Sequence, residues 1–487
     1  MMTKHDIRNH QASIRKLATP AHLAASIFVA VLLATLPAVA EDRSSRQAAA
    51  ERYREELAFH VGTLAYVYGY PIVDLTAQMH AQTHAIEQDQ QVLAPVNHFS
   101  RSEQLVTPST QAGLRAPNND TLYFRGWFDL SEGPVVLHTP DTHGRYYMMA
   151  VTNFFAEVQH LSRRTMGTQE QEYALVGPGW NGELPKELTP VIVDTQHVWI
   201  LGRLLVRGLD DLPEAQTLLK GFWSTPLKDW RSGKRGEPPV PPVGERISPH
   251  TSLAAFSILD RFLRDNPRRP SEEGLLTQFA SVGIGAGKPF EPASLDAATR
   301  RGLERAIESG NALVQGSTLS ALRSVNGWIT LQDAGRFGHD YLLRASVALG
   351  GYANLPEESV YPAAVKDEQG RPLMGSRRYR LHFPKDGLPP VNGFWSLSVY
   401  DAQTRSLVEN TIARYSIGDR TDGLVRGEDG SLTLYLQHEP PAEVMSNWLP
   451  TPAGPLMFVI RLYEPAEAVL DESYRLPWIE TVGESLK

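Results

Sequence analysis

From Leu122 to Leu130 the chain alternates. Leu122, Phe124, Phe128 and Leu130 fall on one side, and Tyr123, Arg125, Trp127 and Asp129 on the other. A period of two marks a strand with one buried face. Glu132-Gly133-Pro134 turns the chain into a second strand, Val135 to His138, and residues 141–144 turn it into a third, Arg145 to Thr152. Further strands are predicted at Tyr173 to Val176, Val191 to Asp194 and Val198 to Val206. The same signature returns late in the chain, at Tyr379 to Phe383, Phe394 to Tyr400, Leu432 to Gln437 and Met457 to Tyr463. Asp429-Gly430 reads as a hairpin turn.

Two other stretches follow a helical period. Leu57, Val61, Leu64 and Tyr68 lie on one face of a helix predicted over Arg46 to Val67, which Gly69-Tyr70-Pro71 should end. Leu253, Phe256, Leu259 and Phe262, then Leu303, Ile307 and Val314, mark helices after the stiff Pro238–Pro242 run. The expected fold is mainly β with a helical segment, built as two β-sandwich or jelly-roll-like domains. The boundaries read as a leader at 1–40, an N-terminal helix at 41–65 and a sandwich at 66–240. A helical segment at 241–355 and a jelly-roll-like domain at 356–487 follow.

The leader changes the setting. Lys4, Arg8, Arg15 and Lys16 precede an uncharged apolar run, Ala24 to Leu36, and Ala38-Val39-Ala40 fits a signal-peptidase site. Such a run is short for a membrane span, which needs about 20 residues. Export with cleavage near Ala40 is expected, to the periplasm or beyond, with no transmembrane span in the mature chain. Losing those four basic residues and Asp6 moves the formal charge from −8 to −11. Nucleic acid is a poor partner for that charge, because binding phosphates needs clustered Lys and Arg. The 487 residues contain no cysteine, which removes disulfides, thiolate nucleophiles and thiolate metal sites.

Ordered motifs accompany both β regions. The first carries AYVYGYP from Ala65, NNDTLYFRGWFDL from Asn118, RYY from Arg145, RRTMG from Arg163, YALVGPGW from Tyr173 and VWILGR from Val198. The second carries NGFWSLSVYD from Asn392, RYSIGDRT from Arg414, DGSLTLYLQHEPP from Asp429, NWLPTPAGP from Asn447 and RLYEP from Arg461. In these the chain resembles a bacterial tandem, the domain-of-unknown-function families 1254 (N-terminal) and 1214 (C-terminal). The resemblance implies two sandwich-like domains and a helical piece; it supplies no activity. One departure stands out, since relatives tend to have an acidic residue and a Tyr where this chain has Ala150 and Val151.

Asn118, Asn119 and Asp120 sit at a strand entrance beside Arg115, Tyr123 and Arg125. Asp120 is the candidate catalytic base or ligand, with Asn118, Asn119 and Tyr123 binding substrate; Asn and Asp before a strand also serve simply as turn formers. Arg145 is the candidate anion clamp, or an edge arginine paired with an acid. Trp448 offers a stacking surface, or a core residue. Asp194 and His197 resemble a carboxylate and its base but lack a nucleophile. The other histidines are scattered without metal-ligand spacing, so no cofactor is predicted, though carboxylates and carbonyls leave room for Ca²⁺ or another divalent ion. Gly283 to Lys288 lacks phosphate-loop spacing and reads as a turn. Two functions fit: a hydrolase for a small polar or anionic substrate, or a ligand-binding or structural protein. Oligomeric state is open.

Overall fold

The computed structural model describes residues 43–86, 94–111, 114, 116–234, 238–320, 322–331, 334–442 and 444–483. The leader and Arg115 lie outside them. Two compact units divide the chain after Arg54. The first enters the described residues only as the opening turns of a long helix, Arg43–Thr83. The second holds all that follows.

That helix overruns its predicted end. It continues through Pro71 to Thr83, although proline forfeits one helical hydrogen bond. Residues 65–73 are all buried, so packing on every side holds the turn that propensity would break. Helices Ala254–Asp265, Glu273–Ala280, Ala297–Ser320 and Tyr341–Gly350 pack around it in one apolar core. The Gly283–Lys288 turn is pinned by the buried Asp260, which accepts from the Gly285 and Phe290 N–H groups.

The N-terminal sandwich has a five-stranded antiparallel sheet in the order β1 (Phe99–Arg101), β2 (Thr121–Asp129), β8 (His197–Leu205), β4 (Tyr147–Asn153) and β5 (Val158–Ser162). Facing it are β7 (Thr189–Ile192), β6 (Gln171–Val176), β3 (Val135–Thr139) and β9 (Trp223–Pro226). Leu122, Phe124 and Phe128 of β2 meet Val135, Leu137, Tyr173 and Leu175 between the sheets, as their alternation predicts. Gly202 on β8 makes room for this layer, since a Cβ there would lie 2.2 Å from the Phe124 ring.

The C-terminal sandwich pairs a seven-stranded sheet with a four-stranded one. The larger runs β10 (Leu322–Val325), β11 (Trp328–Leu331), β13 (Ala363–Ala364), β19 (Leu456–Pro465), β15 (Val391–Asp401), β16 (Ser416–Gly418), with β12 (Ser359–Val360) also on β19. The smaller runs β18 (Trp448–Pro450), β17 (Leu432–Gln437), β14 (Tyr379–Phe383), β20 (Ile479–Thr481). Trp395, Leu397, Leu381 and Leu434 share its core. Asp429-Gly430 turns the chain into β17 but closes no hairpin, because β17 pairs with β14 and β18. Local turn chemistry cannot choose a strand's partners. Among the described residues no helix is long and apolar enough to cross a membrane.

Candidate functional site

The outer face of the five-stranded sheet is covered by two different layers. At one end of β2 and β8, Trp127 and Trp199 join the helical core. At the other, Tyr123 packs with Tyr361, Tyr400 and Met457 of the C-terminal sandwich. Between these covers the face along β2 and β8 is only partly closed, while Ala150 on β4 is buried with Leu355, Phe394 and Tyr463. Tyr123 stands opposite Arg203 and Arg125 opposite Leu201, and all four keep part of their surface accessible, whereas the next pair, Trp127 and Trp199, is buried. Arg203 stays partly accessible beside Tyr361 of the C-terminal sandwich, so it lines a crevice where the two sandwiches meet.

Two cations here lack a countercharge. No carboxylate of the described residues forms an ion pair with Arg125 or Arg203, and beyond its backbone pairing in the sheet the Arg125 side chain makes no hydrogen bond to them. Arg203 Nη1 donates to the Tyr361 hydroxyl at 2.9 Å, and its buried Nε has no partner among the described residues. Tyr361 also receives Asn354 Nδ2 at 2.5 Å. Asn354 therefore turns Oδ1 toward His160 Nε2, 3.1 Å away, which makes Nε2 the protonated nitrogen and Nδ1 the bare one. His160 Nδ1 is buried without a partner, as is the Tyr463 hydroxyl. Burial, reinforced by Arg164 and Arg203, pulls the His160 imidazole down to about 4, so it is neutral near pH 7. Burial also pushes the Tyr463 phenol well up, keeping its proton. Ala150, next to both Leu201 and His160 in the sheet, sets only a methyl between them. Val151 points into the sandwich core.

The residues singled out from sequence do not share one place. Asn118, Asp120 and Tyr123 come together at the crevice wall. Asn118 Oδ1 accepts from the Asp120 and Thr121 N–H groups, both at 2.9 Å, and its Nδ2 donates to the Tyr123 hydroxyl at 2.6 Å. Asn119 Nδ2 reaches the Val106 carbonyl at 2.5 Å. These amides shape the turn. Asp120 reaches across to the other sandwich, accepting from Ser396 Oγ at 2.6 Å, Ser416 Oγ at 3.2 Å and Arg420 Nη2 at 2.9 Å. With three donors on it, the carboxylate is engaged as a tie between domains. Glu358 makes a parallel tie to Tyr146, Ser162 and Arg164.

Arg145 lies elsewhere. Its four terminal N–H groups go to the Leu205 carbonyl, twice to Asp211 and once to Glu214, so no terminal donor is left for an added anion. Arg145→Met should therefore lower stability, by about 3 kcal/mol in equilibrium denaturation, without changing ligand affinity. Trp448 is buried, its indole N–H donating to the Gln437 carbonyl at 2.8 Å within the C-terminal sandwich. Asp194 accepts from Asn153 and Arg269, while His197 faces Asp129 at 3.7 Å, so those two form no dyad. Among the described residues no group of three His, Asp or Glu could hold a metal.

Sequence reading passed over His160, Arg203 and Asn354. A usable signal existed in β2 and β8, where Arg125 and Arg203 sit at outward positions of strands whose other face is core. Asn354 and Tyr361 join them from a distant loop, which no local pattern announces.

Two stacked β-sandwich folds around a cationic crevice define the class of protein. The family models described as "Protein of unknown function (DUF1254)" and "Protein of unknown function (DUF1214)" match residues 96–226 and 358–467, in that order. Both models thus match in the N- to C-terminal order of the tandem that the motifs resemble. The crystal structure of the VPA0106 protein from Vibrio parahaemolyticus aligns with a TM-score of 0.67 and 23% identity, covering 88% of this chain and 100% of that one. At that identity it shows a shared fold. An uncharacterised protein from Burkholderia cenocepacia aligns at TM-score 0.38 and 12% identity over 86% of this chain and 91% of its own, too low to carry argument. No curated protein matches.

Proposed function

We propose that the protein is a hydrolase for a small anionic substrate held in the crevice between its sandwiches and its helices. The observation that carries this reading is the chain of hydrogen bonds from Arg203 through Tyr361 and Asn354 to His160, which leaves His160 Nδ1 bare in a site with unpaired cations. Arg125 and Arg203 attract and orient the anion. His160 Nδ1 takes a proton from water as the resulting hydroxide forms its bond to the substrate's acyl carbon. Charge developing on the acyl oxygen is met by Arg203 Nε and the Tyr463 hydroxyl. The departing group leaves with the proton held by His160. The basic and apolar leader supports export as the setting.

The test needs no prior choice of substrate. A small amount of protein is incubated with a polar metabolite extract, and every component is followed by mass spectrometry. An anionic component should disappear far beyond the molar amount of protein, with its products heavier in sum by one water. A component retained one-to-one and released unchanged would overturn hydrolysis and leave a binding protein.

A further inference from the structure

Beyond the cations, the crevice floor changes character along β8. From Arg203 the same face passes to Leu201 and then to Trp199. Arg203 and Trp199 are four residues apart on one strand, so their Cα atoms are about 13 Å apart. Leu201, partly accessible, gives the middle an aliphatic surface without hydrogen-bonding groups, with the buried Ala150 beside it, and Tyr123 stands opposite Arg203 at the cationic end.

Trp199 differs from its neighbour in one respect. The two indoles stack at 5.8 Å. Trp127 donates its N–H to Gln82 Oε1 at 2.9 Å, but the buried Trp199 Nε1 has no partner among the described residues. A buried indole N–H usually finds an acceptor. Tyr352 lies tilted against Trp199, ring centroids 5.6 Å apart, on a backbone with φ +68°, which a bulky residue rarely adopts. Its hydroxyl is held by Asp74 Oδ2 at 2.6 Å. The ring is thus fixed against Trp199 at some conformational cost, as expected for a wall that a ligand meets.

We infer that the ligand is an aromatic acid: an anionic group on Arg203 and Arg125, a flat ring over Leu201, and a hydrogen-bond acceptor at the far end for Trp199 Nε1. A sugar acid fits less well, since its hydroxyls would meet an aliphatic floor. This inference rests on the crevice being the ligand site, but not on hydrolysis. Carboxylate, sulfonate and phosphate ester share the chemistry Arg203 and Arg125 recognise.

Calorimetric titration of the full protein separates the claims. Benzoate, benzenesulfonate, phenyl phosphate, propanoate and benzamide are the probes. At least one aromatic anion should bind about tenfold or more tighter than propanoate, and benzamide should bind far more weakly. Whichever aromatic anion binds tightest names the anionic group and supports the inference. A 4-methoxy substituent should tighten binding in the wild type and lose that gain in Trp199→Phe, with the parent acid unaffected. Arg203→Met should weaken every anion. If propanoate binds as well as benzoate and both depend on Arg203, the aromatic inference is overturned while the anion site stands. If benzamide equals benzoate, or if Arg203→Met changes nothing, the crevice reading itself fails.

Discussion

Replacing His160 with glutamine is expected to slow turnover of the extract-identified substrate by roughly 10²–10⁴-fold, the usual contribution of a positioned general base. Glutamine is the informative substitution because its amide N–H can replace Nε2 toward Asn354 Oδ1, so the wall of the crevice is kept while the bare nitrogen is lost. Affinity for the intact anion should change little. The pH profile adds a second readout. With the imidazole held at about 4 by burial, the acid limb of kcat/KM should fall near pH 4 and not near 6.5. Stability carries the same signature. Between the ordinary value of 6.5 and about 4, the unfolded chain binds a proton that the folded chain refuses. Stability is therefore full above pH 6.5 and declines as pH falls through that window, by up to about 3 kcal/mol from this group. His160→Gln should flatten that part of the curve. An unchanged rate in His160→Gln, or an acid limb at 6.5 in the wild type, would remove this residue from the mechanism.

The second large effect concerns architecture. Asp120→Ala should cost about 3 kcal/mol, because it strips a nearly buried carboxylate from Ser396, Ser416 and Arg420 and leaves Arg420 only the more distant Asp419, at 3.7 Å. Equilibrium denaturation measures it, with Arg420→Met as the partner in a double-mutant cycle. A coupling of about 1–3 kcal/mol is expected for groups in direct contact. The loss should show as early separation of the sandwiches, since the tie joins the entrance of β2 to β15, β16 and the loop after β16. A stable Asp120→Ala variant with no turnover would instead return Asp120 to catalysis.

The sandwiches were legible in sequence because each strand carries its own alternation. Residues 379–383 and 432–437 form strands over the spans their pattern marks, Tyr379–Phe383 and Leu432–Gln437. Elements ruled by packing were less legible. Pro71 speaks for a helix end, and only the cores around it, assembled from segments hundreds of residues apart, speak otherwise. The candidate site divides the same way. Asn118, Asp120 and Tyr123 drew notice as polar groups at a strand entrance, and they do line one wall. Arg145 drew notice too, but Asp211 and Glu214, which occupy it, are more than sixty residues away in sequence. His160 became visible only when Asn354 fixed its tautomer and linked it through Tyr361 to Arg203.

The central claim is that Arg125 and Arg203 together form an anion site. Anomalous scattering from crystals grown separately with bromide and with 4-bromobenzoate addresses it directly. Bromide is expected within contact of both guanidinium groups, or 4-bromobenzoate with its carboxylate there and its bromine toward Trp199. Bromine peaks confined to the protein surface in both crystals, with neither guanidinium in contact, would contradict it.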